Sequence, residues 1–290
     1  MELPAFDPMR HSPWVTLLIL GLVLGEFFWL RWAATRSAGP AAQATPRYDR
    51  PHDLRETAAT FGIVLGQILL RGATATMILP IIGFAADHRL MQIEMTDPIA
   101  WPPLLVLVDF VYYWFHRCSH LVAWMWASHV VHHSSSRFNL TSAYRLGWTG
   151  LFSGGWVFFM LPVWIGFPPG AVATAVAFNL TYQLLLHTTL IGRLGPLEWV
   201  LNTPTHHRVH HAANTACLDR NFGGILIVFD RLFGTFATAP QDEPLRYGTT
   251  LGQAGYNPIR IAFNGWIALL EKARRAGSLR GVLAVLLGRP

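Results

Sequence analysis

Residues 99–120 read IAWPPLLVLVDFVYYWFHRCSH. From Ile99 to Phe115 the only charged residue is Asp109, and Trp101 and Trp114 stand near the two edges of the stretch. A bilayer-spanning helix needs about 20 mostly apolar residues, and indole rings favour the headgroup level. The stretch therefore reads as a membrane span. It runs directly into His116-Arg-Cys-Ser-His120, whose two imidazoles at i and i+4 share one helical face. The fold expected from this is a bundle of spanning helices with chemistry gathered at one end.

The rest of the chain extends the pattern. Pro13–Trp32 carries only Glu26 and Arg31, Gly147–Phe167 and Pro168–Thr189 carry no Asp, Glu, Lys or Arg, and Ala59–Ala85 is interrupted only by Arg71. Of 290 residues 52% are hydrophobic and 13% charged, about half the charged fraction usual in soluble domains. The expected fold is all-α: a polytopic membrane bundle of about four to five transmembrane helices with a cytoplasmic histidine-rich helical cap. Three regions are expected: an anchor and linker over 1–58, a catalytic membrane domain over 59–240, and an amphipathic segment over 241–290. The first apolar stretch lacks a basic leader and a small-residue cleavage site, so it reads as a retained anchor.

Arginine sets the orientation. Lys272 is the single lysine, and Arg36, Arg47, Arg50 and Arg55 follow the first span, while Arg117, Arg137 and Arg145 follow the third. Basic connections stay cytoplasmic, so the histidine clusters are expected on the cytoplasmic side. Cys118 and Cys217 then face a reducing compartment, and no disulfide is expected. Asn139-Leu-Thr141 and Asn179-Leu-Thr181 fit the glycosylation pattern but would not face a glycosylating lumen. Near the end, Ile259, Phe263, Trp266, Ile267 and Leu270 fall on one helical face beside Arg260, Lys272, Arg274 and Arg275. That pattern suits a helix lying on anionic lipid, or equally one packed on the domain. The net charge of +6 is accordingly assigned to lipid headgroups; no nucleic-acid motif is present.

Ten of the thirteen histidines lie between His116 and His211. After His116 and His120 come His129-Val-Val-His132-His133, the single His187, and His206-His207-Arg-Val-His210-His211. His11, His52 and His88 stand apart and read as ordinary surface or core residues. Imidazole is the commonest nitrogen ligand of iron, zinc and copper. Eight or nine converging rings exceed the roughly four ligands of one zinc, so the number points to two metal ions. Scarce cysteine argues against a closed structural zinc site. Ligating imidazoles usually donate their other N–H to an acceptor; Asp109, Asn139, Asn214, Asp219 and Asp230 are the expected acceptors.

The order HxxxH, HxxHH, single His, HxxHH resembles the membrane fatty acid hydroxylase and sterol desaturase superfamily. The resemblance runs from about Leu104 to Phe236. Asn202-Thr-Pro-Thr-His-His-Arg-Val-His-His211, Asp219-Arg-Asn-Phe-Gly-Gly224 and Phe229-Asp-Arg-Leu-Phe-Gly234 are similar to the branch of alkylglycerol monooxygenase-like and bacterial sterol desaturase-like proteins. The resemblance implies a non-haem di-iron enzyme using O2 on a membrane lipid or sterol, by hydroxylation, desaturation or ether cleavage. Its implied iron ligands are His116, His120, His129, His132, His133, His187, His207, His210 and His211, with His206 a neighbour. Electrons would come from an external donor: a reduced pterin, or a cytochrome b5-like or ferredoxin-like partner. Two other readings stand beside this one: an inactive metal- or lipid-binding scaffold of the same fold, and a metal transporter. The Arg-over-Lys bias fits a bacterial inner membrane.

Overall fold

The computed structural model describes residues 13–36, 53–252 and 255–290. His11, His52 and most of the expected linker lie outside them. The described residues form eleven α-helices and several short 3-10 turns, with no strand among them. In chain order the helices are α1 (Pro13–Arg36), α2 (Leu54–Asp87), α3 (Trp101–Leu121), α4 (Ala123–His129), α5 (Gly150–Ser153), α6 (Met160–Ile165), α7 (Pro169–Leu186), α8 (Pro204–His210), α9 (Val228–Leu232), α10 (Pro258–Arg274) and α11 (Leu279–Leu287). The all-α expectation holds.

Four helical stretches are long and apolar enough to cross a bilayer: Trp14–Ala33, Leu54–Asp87, Pro98–Leu121 and Pro169–Leu186. The chain is an integral membrane protein. Its spans start where side chains satisfy the free N–H groups of a first turn. Asp53 accepts from the Arg55 amide at 2.8 Å and opens α2; Asp97 accepts from the Ile99 amide at 2.9 Å before α3. Prolines at the first helical positions of α3 and α7 forfeit amides that would have no partner there.

The stretch Gly147–Phe167, read from sequence as a continuous span, is broken. Gly154 takes φ +76° and ends α5. A 3-10 turn over Gly155–Phe159 follows, and then the six residues of α6. The break brings Gly155 against α3, where a Cβ would meet the Phe115 ring at 2.2 Å. The broken segment still carries the chain across the bundle. Gly147 abuts the Ser128 carbonyl beside the histidines, while the Leu90 and Ile93 amides donate to the Trp164 and Gly166 carbonyls at 2.8 and 3.1 Å on the opposite side.

Leu104, Val108, Val163, Phe167, Val172 and Ala175 form a core between α3, α6 and α7 in the half remote from the histidines. On the histidine side, Ala59, Ile63, Val131 and Ile261 lock α2 to α10, and Ala123, Ala127 and Leu269 lock α4 to α10. At Gly265 a Cβ would meet the Ala127 carbonyl at 2.6 Å, so α10 packs directly on the backbone of α4. Helix α10 is thus built into the domain. Its Ile259, Phe263, Ile267 and Leu270 remain exposed, while Trp266 donates to the Thr149 hydroxyl at 2.7 Å. One face of this helix is packed on the domain and another is exposed.

Candidate metal centre

The last turn of α3 carries His116 and His120. The end of α4 and the turn after it carry His129, His132 and His133; α7 stops at His187; α8 carries His207 and His210, with His211 at its end. These nine residues form two groups. In one, His116, His120, His129, His133 and His210 offer ring nitrogens all within 4.8 Å of one another; in the other, His132, His187, His207 and His211 do the same.

The HxxHH spacing explains this division. At about 100° per residue, positions i and i+4 lie roughly 40° apart on a helical turn, and i+3 lies roughly 60° to the other side. His129 and His133 therefore face the first group while His132 swings to the second. His207 and His211 face the second group while His210 swings to the first. Each motif holds both groups at once and fixes their spacing.

Backbone carbonyls orient the rings. His116 Nδ1 lies 2.9 Å from the Phe222 oxygen, His210 Nδ1 2.8 Å from that of Arg220, His132 Nδ1 3.2 Å from that of Arg145, and His187 Nδ1 2.8 Å from that of Gln183. A carbonyl only accepts, so each Nδ1 carries the proton and each neutral ring turns its Nε2 lone pair inward. Yet His187 Nε2 and His132 Nε2 stand 3.3 Å apart. Two lone pairs at that distance repel unless a cation lies between them. Nitrogens held about 2.1 Å from one ion are about 3.0–3.4 Å apart for angles of 90–109°. The His207–His187, His211–His207 and His120–His133 Nε2 separations are 3.1, 3.2 and 3.2 Å. Nε2 of His116, His129 and His210 is buried without any hydrogen-bond partner. The donor set fits metal ions.

Burial keeps the rings neutral. It holds His132 down to about 4 and His210 to about 3, and it pushes His129, His133, His187, His207 and His211 well below the usual imidazole range, with neighbouring imidazoles adding to the shift. The pH dependence of the metal-free protein follows. Unfolded imidazoles take up protons below about 6.5, whereas the folded ones do not until far lower pH. The unfolded state then binds more protons, so stability falls as pH drops from about 6.5 towards 4. Thermal unfolding of the metal-free protein at pH 7.5, 6 and 5 should show a steadily falling midpoint. A midpoint unchanged across that range would contradict the buried, neutral cluster.

Of the acceptors expected from sequence, Asp109 and Asp230 bind backbone amides instead of a ring, which corrects the expectation for those two. Asp109 accepts from the Ile225 and Leu226 amides at 2.8 and 2.9 Å and from Asn179 at 2.6 Å. Asp230 accepts from the Phe222 and Gly223 amides at 2.7 Å each and from the Thr235 hydroxyl at 2.6 Å. The two carboxylates clamp opposite ends of the 222–226 loop, and that loop presents the Phe222 carbonyl to His116. The clamp requires glycine at 224, where a Cβ would meet the Asp109 carboxylate at 2.5 Å. Asn214 ties down the segment near 244–246, and Asn139 accepts from Thr141 and Ser142 within its own turn. Asp219 faces a ring as expected, its carboxylate 3.6 Å from His120 Nδ1. His206 belongs to neither group and packs against Phe236.

Other contributors were not named from the sequence. Asn221 adopts φ +56° with its amide fully engaged: Nδ2 donates to the His206 and Ala237 carbonyls, and Oδ1 accepts from the Ala237 amide. Its left-handed turn aims the Arg220 and Phe222 carbonyls inward. Arg145, 2% exposed, pairs with Glu56 at 2.9 Å and donates to Thr60. Glu56 also accepts from Ser135 and Ser136, just after His133. Glu26 of α1 accepts from the Leu140 amide at 2.6 Å and the Thr188 hydroxyl at 2.5 Å, fastening the first span to the residue after His187.

Comparison with known proteins agrees with this geometry. Residues 101–235 match the family described as fatty acid hydroxylase. The chain is 45% identical over 175 residues to alkylglycerol monooxygenase of Xenopus tropicalis, covering 60% of this chain and 38% of that protein. It is 42% identical over 178 residues to the Homo sapiens alkylglycerol monooxygenase, covering 61% and 39%. Ornithine lipid hydroxylase of Rhizobium tropici is 31% identical over 172 residues, covering 53% and 48%. The chain spans about two fifths of the length of the alkylglycerol monooxygenases it matches. No solved structure matches it.

Proposed function

From a chain whose residues 101–235 match the fatty acid hydroxylase family, we propose a membrane di-iron oxygenase that hydroxylates an aliphatic lipid or sterol. The observation that carries this reading is the pair of facing imidazole groups, five and four rings, with lone pairs turned inward. Both are rich in histidine and free of cysteine, a donor set suited to a redox-active borderline metal. The nine histidines named from sequence are the proposed ligands. Bound irons would supply activation of dioxygen and oxidation of an unactivated C–H bond.

The protein's own residues do the rest. The carbonyls of Phe222, Arg220, Arg145 and Gln183 hold the ring orientations and keep the protons on Nδ1. Burial keeps the rings neutral. The reaction consumes the C–H substrate, one O2, two electrons and two protons, and yields the alcohol and one water. Removing a second hydrogen instead gives an alkene and two waters. The electrons come from an external donor, a reduced pterin or a cytochrome b5-like or ferredoxin-like protein. The arginine distribution supports a cytoplasmic centre, and the Arg-over-Lys bias supports a bacterial inner membrane as its setting.

Mass spectrometry of lipid extracts from cells with and without the protein tests the reading. The expected result is a lipid class gaining one oxygen; loss of two hydrogens would mean desaturation. Identical extracts from cells holding iron-loaded protein would overturn it.

A further inference from the structure

Helix α10 has a third face. Ile261, Gly265 and Leu269 pack inward, and Ile259, Phe263, Ile267 and Leu270 stay exposed. Ala268, Glu271, Lys272 and Arg275, spaced to share one face, line a cavity of about 590 Å³. The floor of that cavity is His120, His133, His210 and His211, drawn from both imidazole groups. Its wall is largely apolar, with Trp126, Leu218 and Leu251, and Arg289 stands with Lys272 and Arg275 among the lining residues. The segment 258–290 lies outside the matched family region, yet it closes one side of the approach to the centre.

The charges at the mouth are unbalanced. Lys272, Arg275 and Arg289 are exposed; among the described residues none of their side chains makes a hydrogen bond or close ion pair, although Arg289 stands near enough to Asp219 to act on its carboxylate. Two carboxylates share the cavity, and one of them, Asp219, is turned to His120. A ligand matching this lining has an apolar body against Trp126, Leu218 and Leu251 and an anionic group at the three cations. Helix α10 also has an exposed apolar face, and α11, packed beside it, exposes Leu279, Leu283 and Leu287. A different depression, between Pro102 and Phe229, is wholly apolar and has no histidine.

We propose that this cavity is the substrate entrance and that Lys272, Arg275 and Arg289 select an amphiphile with an anionic head, a phosphate or carboxylate on a single-chain lipid. The proposal rests on the oxygenase reading and narrows its substrate class. Charge-assisted contacts are about twice as strong as neutral ones, and long-range attraction between exposed charges is screened within about 8–10 Å at ordinary salt.

The test uses the iron-loaded full chain in nanodiscs of neutral lipid, titrated with labelled lysophosphatidic acid, with monoacylglycerol of the same chain length, and with inorganic phosphate. Lysophosphatidic acid is expected to bind at least ~10-fold more tightly than monoacylglycerol, with the preference shrinking as salt rises. The combined variant Lys272→Ala, Arg275→Ala, Arg289→Ala should erase that preference, and inorganic phosphate should compete poorly. Equal binding of the two amphiphiles, a preference that survives the triple variant, or competition by phosphate as strong as by the amphiphile would overturn the proposal. Iron per chain is measured on the same samples. A chain without iron would fail the oxygenase reading, whereas intact iron without headgroup preference fails this inference alone.

Discussion

Replacing His132 with alanine is expected to abolish product formation and to lower bound iron from two towards one per chain, while the protein still inserts into the membrane. His132 belongs to the smaller group, so its loss leaves three rings, His187, His207 and His211, where four converge. Its Nδ1 is fixed by the Arg145 carbonyl at 3.2 Å and its Nε2 lies 3.3 Å from that of His187. Removing only a supporting hydrogen bond to a ligand lowers metal affinity about 10- to 100-fold; deleting the ligand itself should exceed that. Insertion depends on the apolar spans and not on this ring. Iron analysis and a lipid product assay on the same membranes check the expectation. Full turnover by His132→Ala would remove the second group from the account.

The second large effect is expected from Asp230→Ala. Asp230 is fully buried and accepts from two amides and a hydroxyl. Without it the Phe222 and Gly223 amides lose their acceptor, each at a cost of about 1–3 kcal/mol. The Phe222 carbonyl then loses its fixed position and releases the His116 ring. A fall in unfolding midpoint should therefore accompany a loss of iron affinity of about 10- to 100-fold. Thr235→Ala removes only one of the bonds to Asp230 and should be milder on both counts. Asp230→Ala with normal stability and normal iron would show that the 222–226 loop does not position the centre.

What could be read from the sequence was what periodicity and residue chemistry control. Apolar length marks four spans, and the HxxxH and HxxHH spacings mark rings that share a face. The shared-face reading missed that the i+3 ring diverges, so that His132 and His133 serve different groups. The broken segment Gly147–Phe167 escaped because its composition is that of a span; the break lies in the conformation of Gly154 and the contact of Gly155 with Phe115. The ring-orienting groups escaped for another reason. They are main-chain carbonyls of Arg145, Gln183, Arg220 and Phe222, and any residue has such a carbonyl. Carboxylates near the histidines in sequence drew the expectation instead, and the fold uses Asp109 and Asp230 to hold backbone. The one local signal was Asn221-Phe-Gly-Gly224, where an asparagine suited to positive φ precedes two glycines. Glu26 and Glu56 lie more than 75 residues before the hydroxyls and amides they bind, a distance no local pattern reveals.

Metal content of the purified, membrane-reconstituted chain bears most directly on the two imidazole groups. Elemental analysis is expected to give about two irons per chain, with a spin-coupled signature showing that the ions are neighbours. One ion per chain, or occupancy by zinc with no reducible iron, would contradict the account.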